Sequence, residues 1–148
     1  MRSEAKLPLR VHETDAGADL FYCPNEDKKL YETNDYHIPP KTSRVLPTGI
    51  KVEVPYGYML EIKNKSGVAS KRQLVVGACV VDPGYNGEVY VNLHNIGIKT
   101  QVITSGTKIA QAVLIPIDHC KFEEVETDQF LNFHSKRGEG AFGSTGEK

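Results

Sequence analysis

Apolar residues recur at every second position through much of the middle of the chain. Ile50, Val52 and Val54 alternate with Lys51 and Glu53, Tyr58, Leu60 and Ile62 alternate with Met59, Glu61 and Lys63, and Val89, Val91 and Leu93 alternate with Glu88, Tyr90 and Asn92. A two-residue period belongs to a strand with one face in a core, so each segment is predicted as a half-buried strand. The run Ile109 to Ile115 has no polar face except at Gln111. It predicts a strand buried on both sides, inside the domain or against another subunit, with Gln111 as its odd residue.

Turn dipeptides punctuate these segments at short intervals: Pro39-Pro40, Pro55-Tyr56-Gly57, Pro83-Gly84, Asn86-Gly87 and Ser105-Gly106, with Pro116 closing the last run. Strands so divided predict an all-β fold, an antiparallel sandwich or barrel. One helix is expected, about two turns within 66–74, with Ser66 as its cap. The polar stretch 24–29 and the tail 136–148, with four Gly between Arg137 and Glu147, read as loops.

Composition narrows this picture. At 148 residues, with 39% hydrophobic residues and 13 Gly, the chain has the make-up of one ordinary globular domain rather than a disordered or collagen-like one. A net charge of −1 supplies no broad field for nucleic acid or an acidic membrane surface, so neither is expected as a partner, and any phosphate must be met locally. No apolar run reaches the ~18–20 residues that cross a bilayer, and the first residues lack the apolar core of a signal peptide. The expected location is the cytoplasm, or the host cytoplasm for a viral source. Cys23, Cys79 and Cys120 are odd in number and lack C-x-x-C spacing, which fits a reducing compartment.

Four stretches carry candidate chemistry. Gly138, Gly140 and Gly143 spell G-x-G-x-x-G, but only five residues follow, so the helix of a dinucleotide fold is missing. Glycines that let backbone N–H groups gather around an anion, with Arg137, Ser144 and Thr145 as added donors and Phe142 free to stack on a planar ligand, make a closing arm one reading. An unstructured terminus is the other. Asn64 to Lys71 follows a strand and opens the helix, where Lys65 and the Ser66 hydroxyl would suit a phosphate or simply begin a capped helix. Asp82 ends the apolar strand Gly77 to Val81 just before Pro-Gly, as a general base or a turn-capping carboxylate, and Tyr85 lies between two turn dipeptides. Asp19 ends the small-residue run 14–19, where one carboxylate is no Mg²⁺ site unless a substrate's phosphates supply most ligands.

In order and spacing, these stretches resemble the trimeric dUTP pyrophosphatases, the dUTPases. The strings are Ala16 to Leu20, Lys65-Ser66-Gly67, Val76 to Asp82 with Tyr85 and Gly87, Gly106 to Gln111, and the tail Arg137 to Gly146. The resemblance implies a jelly-roll-like β-barrel or sandwich over 1–135 and a glycine-rich arm, 136–148, that closes over the active site. It implies a homotrimer with three sites at subunit interfaces, and hydrolysis of dUTP to dUMP and pyrophosphate with Mg²⁺. In that scheme Asp82 activates the water that attacks the α-phosphorus, and Asp19 holds the metal through water. Lys65, Ser66, Gly67 and Gln111 contact phosphates, and Tyr85 stacks under the deoxyribose. The hairpin backbone at Val76, Gly77 and Val80 reads uracil. Phe142 stacks on the base while Arg137, Gly143, Ser144 and Thr145 close on the β- and γ-phosphates.

The chain departs from the family pattern in four places. Lys65 stands where Arg is usual, and it offers a point charge rather than a fork. Thr107-Lys108 replaces Asp-Arg, Gly84 replaces an acidic residue, and the segment 24–36 is longer than usual. The related dCTP deaminases would need a Glu and an Arg near the base, where this hairpin offers Cys79 and aliphatic residues. An inactive nucleotide-binding module would be expected to lack Asp82, Tyr85 or Phe142, and all three are present.

Overall fold

A computed structural model describes residues 4–25, 35–127, 138, 140 and 141. The chain divides into two compact units, Met1–Asp118 and His119–Lys148. In the second, the described residues 119–127 are all exposed. The tail residues Arg137, Phe142, Gly143, Ser144 and Thr145 lie outside the described residues, as does most of the segment 24–36.

The described residues of the first unit form nine short strands and one helix: β1 Ala18–Phe21, β2 Tyr36–Ile38, β3 Ser43–Pro47, β4 Tyr58–Lys63, α1 Ser66–Arg72, β5 Leu74–Val76, β6 Val80–Val81, β7 Tyr90–Asn95, β8 Gln101–Ile103 and β9 Lys108–Pro116. They form three antiparallel sheets, in the orders β1-β9-β4-β6, β3-β7-β5 and β2-β8. None closes into a barrel, so of the two expected forms the open, sandwich-like one is realised. All three sheets feed one core, through Leu20, Ile62 and Ile109 from the first, Leu46, Leu74 and Leu93 from the second, and Ile38 and Ile103 from the third.

The two-residue period survives folding in β7 but not in β4, where Tyr58 is exposed and Met59, Leu60 and Glu61 are all half-buried although strands pair on both sides. In β7, Val91, Leu93 and Asn95 are buried while Tyr90 and His94 are exposed. Ile50 to Val54 keeps the alternation, with Ile50 and Val54 buried and Lys51 and Glu53 exposed, yet forms no strand. Among the described residues, the ladder-like bond it shows runs from the Val89 N–H to the Ile50 carbonyl, at 2.9 Å. Apolar period reports burial of a face, and hydrogen bonding to a neighbour is a separate condition. In β9 the expected two-sided burial holds for Ile109, Ala110 and Ala112, but Leu114 is 47% exposed.

The helix matches its expected position but not its cap. Ser66 is its first residue, Lys65 takes the capping position in extended conformation, and no side chain caps the end. The turn is closed by backbone instead, since the N–H groups of Val68 and Ala69 both donate to the Lys65 carbonyl at 2.9 Å. At the other end Gln73 adopts left-handed geometry, and Arg72 ties the helix to β8 through Gln101 Oε1 and the Val102 carbonyl.

Asn95, 1% exposed, closes the far end of β7. Its Nδ2 donates to the Ile38 and Lys99 carbonyls at 2.8 Å each, and its Oδ1 accepts the Gly97 N–H at 2.9 Å. Truncation would strand two buried groups, the Ile38 carbonyl and the Gly97 N–H, so Asn95→Ala is expected to cost about 2–4 kcal/mol of stability, read as a lowered urea midpoint.

Candidate active site

Two cavities hold six of the sequence-predicted residues, Asp19, Lys65 and Gln111 in one and Val80, Asp82 and Tyr85 in the other, and they share none. The first, of about 370 Å³, is lined by Leu9, Val11, His12, Asp15, Ala16, Gly17, Asp19, Lys65 and Gln111. Register brings its polar groups together: Asp19 on β1 pairs with Gln111 on β9, which pairs with Lys63 on β4. Residues directly opposite in a sheet point to the same face, so the Asp19 and Gln111 side chains emerge side by side. Leu9 bridges the outer edge of β1 by two backbone bonds to Asp19, at 2.8 and 3.1 Å.

Gln111 is the polar break in its apolar strand because it has work at this edge. Its Nε2 donates to the Asn64 carbonyl at 2.9 Å, and Asn64 Oδ1 in turn accepts the Val76 N–H at 2.6 Å. The carboxamide passes so close to Gly17 that a Cβ there would overlap it. A larger residue at 17 would therefore require the Gln111 carboxamide to shift.

Asp19 is 5% exposed, and an ammonium group lies beside each of its oxygens, although only Oδ1 receives a well-aligned hydrogen bond among the described residues. Lys65 Nζ lies 2.7 Å from Oδ1 and Lys108 Nζ 2.7 Å from Oδ2. Burial pushes the carboxyl upward, but hydrogen bonds from Lys108 and Lys65, with their charges, outweigh it and hold Asp19 below its ordinary value of 3.8. Lys108 reaches this position through a bulge. Leu20 pairs with Ala110 and Phe21 pairs with Lys108, so Ile109 is an extra residue on β9. Three positions from Gln111, Lys108 would face the opposite side of a regular strand, and the extra residue returns it to the face of Asp19. Sequence reasoning noted Lys108 only as a departure from a family pattern. Its place in the same string as Gln111 was the available signal.

The second cavity, of about 200 Å³, is lined by Val80, Val81, Asp82, Tyr85, Glu88, Val89 and Tyr90. It sits where the chain leaves the first sheet for the second. The hairpin here is wide rather than tight: β5 pairs antiparallel with β7, extended by the Gly77 N–H to the Asn92 carbonyl, whereas β6 within the connecting segment pairs with β4, so residues 77–79 cross between sheets. Asn86-Gly87 is no hairpin turn, since β6 and β7 are not paired. The Pro-Gly turn is as expected. Tyr85 N–H returns to the Asp82 carbonyl at 3.3 Å, and Gly84 has φ +82°, the left-handed geometry of a type II turn's third residue.

That turn presents Asp82 and Tyr85 together. The Tyr85 hydroxyl donates to the Glu88 carbonyl at 2.9 Å, and its ring lies against Gly87, where a Cβ would strike it. Tyr85 is 45% exposed, which leaves a ring face available to a ligand. Val80 joins this cavity, but Val76 and Gly77 do not line it. Their N–H groups are engaged, by Asn64 Oδ1 and by the Asn92 carbonyl at 2.9 Å. Ser66 and Gly67 are exposed at the start of α1, next to Lys65.

Among the described residues no three His, Cys, Asp or Glu side chains are grouped to hold a metal ion. With both Asp19 oxygens paired to ammonium groups, the residues present do not form a metal site by themselves.

The fold and these cavities define an all-β domain with a lysine-paired buried carboxylate on one sheet and a carboxylate–tyrosine turn at the crossing to the next. The family model described as dUTPase matches residues 3–146, and the chain belongs to the dUTPase family. Deoxyuridine 5'-triphosphate nucleotidohydrolase of Chlamydia trachomatis is 40% identical, covering 99% of this chain and 95% of its own. The protein of that name from Clostridium tetani is 37% identical over 99% and 93%. A mutant of the Staphylococcus bacteriophage 80alpha dUTPase with dUpNHpp superposes with a TM-score of 0.82 at 28% identity, over 98% of this chain and 94% of that one. A dUTPase mutant from phage phi11 of S. aureus, whose structure shows coordination of a structural Mg(II) ion, gives 0.73 at 28% identity over 84% and 92%. Among the described residues no helix is long and apolar enough to cross a membrane.

Because the folded-state value of Asp19 is depressed, its contribution to stability is complete above 3.8 and is lost as pH falls through the folded-state value. Asp19→Asn should flatten this acid limb, measured as urea midpoints between about pH 2 and 6.

Proposed function

We propose that the protein is a dUTP diphosphatase, hydrolysing dUTP to dUMP and pyrophosphate. The carrying observation is that a dUTPase-family chain preforms both a carboxylate–tyrosine cavity and a separate lysine-bearing anion cavity. Phosphoryl transfer asks a protein chiefly for positioning and charge neutralisation, and these two sites offer one each.

In this reading Asp82 orients the attacking water and takes its proton as the α-phosphorus is attacked in line. Tyr85 stacks under the deoxyribose, where its ring leaves no room for a 2′-hydroxyl. Uracil is read by backbone near Val76, Gly77 and Val80, and with the first two N–H groups already engaged, their carbonyls are the groups left to read it. Lys65, Ser66, Gly67 and Gln111 meet the phosphates. Magnesium belongs here as the ion carried by the triphosphate, consistent with an Asp19 whose oxygens are already paired.

Because the two cavities share no residue, the working site is proposed to combine them from different copies in a homotrimer. The half-exposed Leu114, in a strand whose sequence reads as buried on both faces, supports burial against a second copy. The arm 136–148, appended to the domain 1–135, completes the site through Arg137, Phe142, Gly143, Ser144 and Thr145. Ordering a glycine-rich arm costs roughly 1–2 kcal/mol per residue, so phosphate and stacking contacts must offset it, which makes the arm a lid. The cellular consequence is a lowered dUTP supply to DNA synthesis and a supply of dUMP for thymidylate synthesis, in the cytoplasm of the cell or of a virus's host.

Product analysis across dUTP, dCTP, dTTP and UTP tests this reading, with pyrophosphate from dUTP alone expected and orthophosphate or ammonia overturning it. Asp82→Asn should lower kcat about 10²–10⁴-fold with dUTP affinity retained. Truncation after residue 135 should lower kcat/KM while leaving the melting temperature of the domain unchanged, a pairing that differential scanning calorimetry and steady-state kinetics read together.

A further inference from the structure

Lys65 and Lys108 hold the same carboxylate from opposite sides, but only Lys65 lines the cavity. A lysine ammonium is a point donor, so each covers one oxygen where a single arginine fork would cover both. The result is one buried anion with two cations, and the two cations are not equivalent. Lys108 is set apart by the bulge at Ile109 and by the Phe21 ring, whose centroid lies 5.9 Å from its ammonium. Lys6 stands over the same ring at 5.4 Å, adding positive charge on that side.

This arrangement addresses a conflict in the cradle. If Lys65 were the sole partner of Asp19, drawing its ammonium toward a phosphate would leave a buried charge unpaired, which is strongly destabilising. We propose that Lys108 is a positioning residue that keeps Asp19 paired, so that Lys65 is free to bind the triphosphate. Lys108 itself need not touch the ligand. The inference rests on the reading that this cavity takes the phosphates of the nucleotide.

Four full-length proteins test it: Lys108→Met, Lys108→Arg, Asp19→Asn and the double variant Lys108→Met/Asp19→Asn. The probe is inorganic tripolyphosphate without magnesium, titrated by calorimetry, alongside KM and kcat for dUTP. Lys108→Met should weaken tripolyphosphate binding about tenfold and raise KM with kcat little changed, because Asp19 now retains Lys65. Lys108→Arg should bind like the wild type. Adding Asp19→Asn to Lys108→Met should restore binding, since a neutral amide no longer holds Lys65. A purely structural role for Lys108 predicts the opposite, a double variant weaker than either single.

Unchanged tripolyphosphate binding in Lys108→Met, or failure of the double variant to recover, overturns the proposal. Lys108→Gln carries the same comparison if the methionine variant does not fold. A wild type that binds tripolyphosphate with this pattern but releases no pyrophosphate from dUTP would defeat the activity reading alone. Intact hydrolysis with an indifferent Lys108→Met would defeat this proposal alone.

Discussion

A carboxylate buried on β1 must find compensating charge, and most of the surrounding structure follows from how Asp19 finds it. An unpaired ion at 5% exposure would be neutralised or would destabilise the fold. Its two partners come from different places, Lys65 from the entry to α1 and Lys108 from the bulged start of β9. Their convergence ties the edge strand β1 to the helix entry and to the strand beside it. The Asn64–Gln111–Gly17 arrangement adds a second tie at the same edge, with neutral hydrogen bonds in place of charge.

The second centre depends on backbone rather than charge. Residues 77–79 carry the chain from one sheet to the other, and the Asp82–Tyr85 turn begins its return. A crossing of this kind exposes a short rigid segment between two packed layers, where Tyr85 can keep 45% of its surface and still be fixed through its hydroxyl. Positioning by a turn and attraction by a cradle are complementary demands of phosphoryl transfer. Each half resides on a separate part of the first unit, which gives the proposed trimer a chemical reason as well as a packing one.

Much of this was legible in the chain. Alternation located β4 and β7, the Pro83-Gly84 pair located the turn, and Gln111 stood out as the polar break in an apolar run. The five ordered strings identified the family without reference to a fold. Where sequence reasoning failed, it failed for physical reasons. Ile50 to Val54 has a strand's period but lacks a strand's partners. Ser66 has a capping residue's chemistry, but Lys65 occupies the capping geometry. Asn86-Gly87 has a hairpin turn's composition, but its flanking strands belong to different sheets, and Gly87 instead makes room for Tyr85.

Local rules therefore determined the elements, the turn and the residue types of the site, because period, turn geometry and charge are properties of neighbouring residues. Tertiary pairing decided which of those residues meet. The string that Lys108 shares with Gln111 marks it as a site neighbour but not as facing Asp19, since a regular strand would turn it away from the face of Gln111. One extra residue in the pairing of β9 with β1 reverses that. A bulge is set by the fit of two strands distant in sequence, so it exists only once they are joined.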